Sequence, residues 1–184
     1  VVERLELNTR YYHYSMPVAD RIRICRGLFD WKRVEYYKDN PYSLTFSVDP
    51  LYPSELHPTS FALTFQNIDS ETFEVRSVTL NGKKQHLDES QYKYGDVVAL
   101  TGCTFKLEVI DALEMIDRDK YYCTWNLPYN VAKGFAANLK TEIQAPIRNR
   151  QSDVLVVSLE DTKVGRAEDI LNTLIVMSND EARN

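Results

Sequence analysis

Apolar and polar positions recur with two different periods along this chain, and the change of period marks out its elements. In the C-terminal stretch Val154, Leu155, Val156, Val157 and Leu159 form an almost continuous apolar run, which suits a strand covered on both faces. Asp161 and Thr162 follow as residues that can cap a helix. Val164, Ala167, Ile170, Leu171, Leu174 and Met177 then recur at three- and four-residue steps. That spacing predicts a helix with one stripe towards a core, leaving Lys163, Arg166, Glu168, Asp169 and Asn172 facing away. The helical pattern is still running where the sequence stops, so the stretch reads as part of something longer.

Upstream the dominant period is two. Residues 9–16 are aromatic and extended, residues 19–26 alternate through Arg21, Ile22, Arg23 and Ile24, and residues 34–37 and 43–48 predict two more strands around the turn Asp39-Asn40-Pro41. Pro50, Pro53 and Pro58 mark an irregular connection. Phe61, Leu63, Phe65, Phe73 and Val75 predict a hairpin, and Asn81-Gly82 is a strong two-residue hairpin signal. Tyr94-Gly95-Asp96 opens a further pair of strands running to Val109, and Tyr121, Cys123 and Trp125 alternate in one more. Helical spacing appears at residues 1–7, as the end of a helix, and at residues 130–139, despite the cost of Gly134. Residues 141–147 predict a strand that a polar turn reverses into the C-terminal one. The expected architecture is α+β: a mixed sheet packed against two or three helices, with a β-rich segment inserted at about residues 50–120.

Charge narrows the possible partners. Acidic residues outnumber basic ones by 27 to 22, a formal net charge of -5, which argues against a general nucleic-acid binder. No apolar run approaches the roughly 20 residues that span a bilayer. Cys25, Cys103 and Cys123 are widely spaced and form no CxxC, so Cys103 and Cys123 read as small buried apolar residues on strands.

Motifs that carry chemistry are sparse. His13, His57 and His86 are far apart in sequence without HxxxH or HExxH, so no metal site is expected. Neither GxSxG nor GxxxxGK[ST] occurs, and no cofactor site is expected. Glu160 and Asp161 form an acidic pair of the kind glycoside hydrolysis uses, but the reading as a turn and helix cap is stronger. No catalytic residue is therefore assigned. Arg21, Arg23 and Arg26, with Lys32 and Arg33, concentrate positive charge that could meet an anionic sugar or a lipid headgroup; the favoured alternative is the protective charge of an edge strand. Twelve tyrosines and two tryptophans could stack on sugar rings, although their alternating placement favours packing.

The segment DVLVVSLEDTKVGRAEDILNTLI resembles the strand, Asp-Thr turn and Ala-x-x-Ile-Leu-Asn-x-Leu helix of the Wzz/Wzc-type polysaccharide co-polymerases, the chain-length determinant proteins. LNTRYY and VEYYKDNPY stand where that family joins its first helix to a strand, and the aromatic-Gly-acid turn at Tyr94-Gly95-Asp96 is similar as well. The stretch at residues 19–31 is the clearest departure and looks like an insertion. The resemblance implies the periplasmic domain of a bacterial inner-membrane protein, flanked by two transmembrane helices, with Val1 and Asn184 at helix ends on the membrane-proximal side. It implies no enzyme activity in these residues, although many members carry a cytoplasmic tyrosine autokinase elsewhere. Function by resemblance is assembly into a ring that sets glycan chain length and assists export of capsule, exopolysaccharide or O-antigen. The partners it implies are a polysaccharide polymerase, an outer-membrane export protein and the glycan. Arg166 and Asp169, on the expected exposed face of the last helix, are the candidate oligomer or partner surface. The alternative is a secreted or surface carbohydrate-binding module using exposed aromatics.

Overall fold

A computed structural model describes residues 1–15, 32–116, 118–144 and 154–183. The expected strand at residues 19–26 and the candidate patch of Arg21, Arg23 and Arg26, together with Cys25, lie outside the described residues. The chain divides into two compact units, one formed by Thr9–Asn126 and the other by Val1–Asn8 with Leu127–Asn184.

The described residues of the first unit form ten strands: β1 (Thr9–Ser15), β2 (Lys32–Tyr36), β3 (Tyr42–Val48), β4 (Ser60–Asn67), β5 (Thr72–Leu80), β6 (Lys83–Gln85), β7 (Gln91–Lys93), β8 (Val97–Leu100), β9 (Cys103–Val109) and β10 (Lys120–Asn126). The larger sheet has the order β2-β1-β10-β4-β5, with β6 and β7 both pairing along β5. The smaller sheet has the order β3-β9-β8. Alternation in each strand decides what lies between them. Phe61, Leu63 and Phe65 of β4 and Tyr121, Cys123 and Trp125 of β10 are buried, as are Tyr42, Leu44, Phe105 and Leu107 of the smaller sheet. Rings from the two sheets meet at centroid distances of 4.5 Å for Phe46 and Trp125, 4.8 Å for Phe46 and Phe61, and 5.1 Å for Tyr42 and Phe65. Such pairs add about 0.5–1.5 kcal/mol each beyond the area they bury. Tyr42 brings a hydroxyl into this core, and the hydroxyl is satisfied there. It donates to the carbonyl of Tyr122 at 2.9 Å, shared with that of Tyr12 at 3.1 Å, and accepts the Tyr12 N–H at 3.3 Å.

Two glycines fit their turns for different reasons. Asn81 and Gly82 between β5 and β6 both have positive φ, 50° and 75°, as a tight two-residue hairpin requires. Gly102, at φ +75°, also faces the Tyr52 ring, which a Cβ would approach to 2.5 Å.

The second unit holds α1 (Pro128–Asn138), β11 (Leu139–Gln144), β12 (Val154–Leu159) and α2 (Val164–Glu181). Proline opens α1 at a position where its missing N–H costs nothing. β11 and β12 form an antiparallel two-stranded sheet. Residues 1–7, expected as the end of a helix, make turns instead, with the Leu5 N–H on the Val1 carbonyl and the Leu7 N–H on the Val2 carbonyl, both at 3.0 Å.

The α+β expectation, a mixed sheet packed on two or three helices, is not what forms. The described residues make a mostly-β fold of twelve strands and two α-helices, with every strand pairing antiparallel. The physical reason lies in β1, β2 and β3, which were expected outside the β-rich insertion. β1 pairs with β10 and β3 pairs with β9, so their aromatic inner positions complete one core rather than starting another. β12 departs too: Leu155 is 60% exposed, so this strand is not covered on both faces.

Candidate functional site

The turn between β12 and α2 holds a compact polar assembly. Lys163 is the last extended residue before the helix, and Asp161 Oδ1 accepts its N–H at 2.8 Å. Arg166, in the first helical turn, donates through Nε to Asp161 Oδ2 at 2.9 Å and through Nη2 to Oδ1 at 2.5 Å. Its Nη2 also reaches Thr162 Oγ1 at 3.2 Å. Both charged side chains are only 4% exposed, so the two-point pair sits in low dielectric where each charge depends on the other.

Arg166 therefore does not belong to an exposed partner face, as its place on the helical wheel suggests. Helical side chains lean towards the helix N-terminus, and one in the first turn reaches back over the residues that precede the helix. Asp169 is half-buried. Val164, expected in the buried stripe, is 71% exposed, while Ile170 is buried as expected.

The apolar residues of this unit are incompletely covered. No residue of α1 is buried, and α2 buries only Arg166 and Ile170. A groove of about 410 Å³ runs between Val2, Tyr129, Phe135, Leu159, Ile170 and Leu174, among others. Leu155, Ile175, Val176 and Met177, which do not line this groove, are exposed as well.

A second surface lies on the larger sheet of the first unit, on the face turned away from its core. Strand register aligns Tyr12, Tyr122, Thr64 and Ser77 across β1, β10, β4 and β5. The alternate positions of β4 are Ser60, Ala62, Thr64 and Gln66, all half-buried, so this face is polar where the inner face is aromatic. The Arg33 guanidinium lies over the rings of Tyr12 and Tyr122, at 4.7 and 5.1 Å from their centroids. Burial raises the Tyr122 phenol pKa, and Arg33 pulls it back towards its ordinary value.

Sequence spacing gives no sign of a third cluster. His13 on β1 meets Asp119, just before β10, with Nε2 and Oδ2 2.9 Å apart, and its ring stacks on Tyr121 at 5.1 Å. Tyr36 lies nearby, its pKa pushed up to about 12 by burial first and then by Tyr121 and the carboxylates of Glu114, Asp39 and Asp119. Only the pairing of β1 with β10 brings residues 106 positions apart together here. The pair ties strand β1 to the loop that leads into β10.

The remaining sequence candidates are placed as follows. Glu160 pairs with Lys140 at 2.5 Å while Asp161 turns to Arg166, so the two adjacent carboxylates serve separate cations rather than flanking a common bond. His57 binds the Tyr52 carbonyl at 2.7 Å. Cys103 and Cys123 are buried and free, and burial pushes the Cys103 thiol up to about 11 and the Cys123 thiol further. Neither is a thiolate at neutral pH. Among the described residues no group of three or more His, Cys, Asp or Glu could hold a metal ion, and no helix is long and apolar enough to cross a membrane. No protein-family model matches the chain, and no curated protein matches it.

Proposed function

We propose that this chain is the periplasmic part of an inner-membrane polysaccharide co-polymerase, a protein that sets glycan chain length and assists export by assembling with copies of itself. The observation that carries the reading is the uncovered apolar surface of the second unit. Part of that surface falls on β12 and α2, the strand-turn-helix segment that resembles the family, and part on α1 and residues 1–3. Contiguous apolar surface on a folded unit marks an interaction site, because leaving it in water forgoes roughly 25 cal/mol for each Å². The Asp161–Arg166 pair supports the same reading, since it fixes the angle at which α2 leaves the turn and so gives a neighbouring copy a rigid face to meet. Activity in this reading comes from interfaces, with polymerase and outer-membrane exporter as further partners.

The test uses the full-length protein in its own membrane. Ile175→Asp and Val176→Asp change exposed positions of α2. They are expected to weaken crosslinked oligomers and shift the glycan length distribution while leaving expression unchanged. A full-length protein that crosslinks only as a monomer, or a gene deletion that leaves glycan length and export unchanged, overturns the reading.

One observation favours a second reading, a secreted or surface carbohydrate-binding module: the tyrosine-bearing outer face of the larger sheet. Hydrophobic spans encoded on both sides of this chain would decide for the co-polymerase; a cleaved leader and no second span would decide for the module.

A further inference from the structure

The outer face of the larger sheet has a composition that suits one kind of ligand. We infer that it binds an acidic glycan, a run of sugar rings bearing carboxylate groups, and this rests on reading the protein as one that handles polysaccharide. Tyr12 and Tyr122 stand side by side with ring centroids 5.5 Å apart, and Tyr14 lies 6.4 Å from Tyr122. Thr64 and Ser77 continue the row across the next two strands, and Glu35 of β2 ends it beside Tyr12, its carboxylate 3.9 Å from the Arg10 guanidinium. At about 4.8 Å per strand, the row from Tyr12 to Ser77 spans roughly 14 Å, the width of a short oligosaccharide.

The chemistry of the row matches the two sides of a sugar ring. A pyranose has an apolar C–H face and a rim of hydroxyls. Tyrosine rings meet the first, while phenol, threonine and serine hydroxyls, each able to donate and accept, meet the second. Arg33 adds selectivity for charge. Its guanidinium carbon lies 4.7 and 5.1 Å from the Tyr12 and Tyr122 ring centroids, and the planar fork of N–H donors suits a carboxylate in two-point geometry.

Other occupants fit less well. The row holds no aliphatic side chain, so it offers little to an acyl chain or to the apolar centre of a protein interface. The net charge of -5 disfavours a densely charged polyanion such as nucleic acid, whereas a glycan with spaced carboxylates needs only a local cation.

The experiment titrates the purified 184-residue chain with fluorescent oligogalacturonate, oligosialic acid and neutral maltohexaose. At least one acidic probe is expected to bind more tightly than maltohexaose. Tyr12→Ala and Tyr122→Ala should each weaken binding roughly tenfold, the scale of one lost stacking contact. Tyr122→Phe should retain most of the affinity, and Arg33→Ala should remove the preference for acidic over neutral sugar. Thermal unfolding of each variant shows that the fold survives; Tyr122→Leu, which removes the ring but keeps apolar bulk, serves where Tyr122→Ala does not fold. Failure of all three probes to bind, or wild-type binding by folded Tyr12→Ala and Tyr122→Ala variants, overturns the inference. No binding together with altered glycan length on gene deletion would discard this site and keep the co-polymerase reading. Binding together with unchanged glycan length would do the reverse.

Discussion

Arg166 shows how a single side chain can be misplaced by periodicity alone. On a helical wheel it falls on the polar side of α2, yet it lies buried against Asp161 because first-turn side chains lean back over the chain that enters the helix. Arg166→Ala would remove the two-point partner of the buried Asp161 carboxylate, and the expected cost is about 3–5 kcal/mol, read as lost amide protection in α2. Replacing both partners, as Asp161→Leu with Arg166→Met, should recover most of that loss; a double variant no better than the single one would refute the pairing argument. The glycines make a second comparison at this scale. Gly82→Ala meets open space and carries only the left-handed backbone cost of about 1–2 kcal/mol, whereas Gly102→Ala adds a clash with Tyr52 and should lower the denaturation midpoint further. Tyr36 predicts an alkaline limit. Its folded pKa of about 12 exceeds the ordinary value near 10, so the folded state holds the proton more tightly. The stability this contributes is complete below pH about 10 and is lost as pH rises through 12. Tyr36→Phe should flatten the fall in stability over that window, measured by denaturant titration at each pH.

Among the elements, those with strong local signals were legible in advance. The alternation of Phe61, Leu63 and Phe65 and that of Tyr121, Cys123 and Trp125 describe strands whose odd positions are buried, and β4 and β10 follow them. Asn81-Gly82 makes its hairpin because few other dipeptides accept two positive φ angles. Helix α1 was visible from its spacing, but its lack of any buried residue was not, since an apolar stripe states a preference and not the presence of a covering surface. The same holds for β12, where a continuous apolar run suggested cover on both faces and Leu155 is exposed. The candidate sites divide in the same way. Asp161 and Arg166 each carry a local signal, one as a cap and one on the polar side of the helix, but their pairing carries none, and neither does that of His13 with Asp119.

At the scale of the whole chain, the β-rich unit is one continuous segment whose ends meet, because Thr9 pairs with Trp125 in the register of β1 and β10. A segment with its own core and adjacent ends meets the conditions for independent folding. A fragment of residues 9–126 is therefore expected to fold alone, with a cooperative thermal transition and the near-ultraviolet dichroism of packed aromatic rings; a fragment without either would show that its core is incomplete. The sequence by itself determined most local states, residues 1–7 aside, because strand alternation, turn dipeptides and helical spacing act over a few residues. It determined the net charge as well, and with it the expectation that a general nucleic-acid surface is disfavoured. Only the tertiary structure decided that β1 and β3 join the central strands in one mostly-β unit, that Arg166 turns inward, and that Tyr12, Tyr122 and Arg33 share one outer face. Those outcomes depend on pairing and burial between residues tens of positions apart, and the free energy that selects among pairings belongs to the assembled core rather than to any segment of the chain.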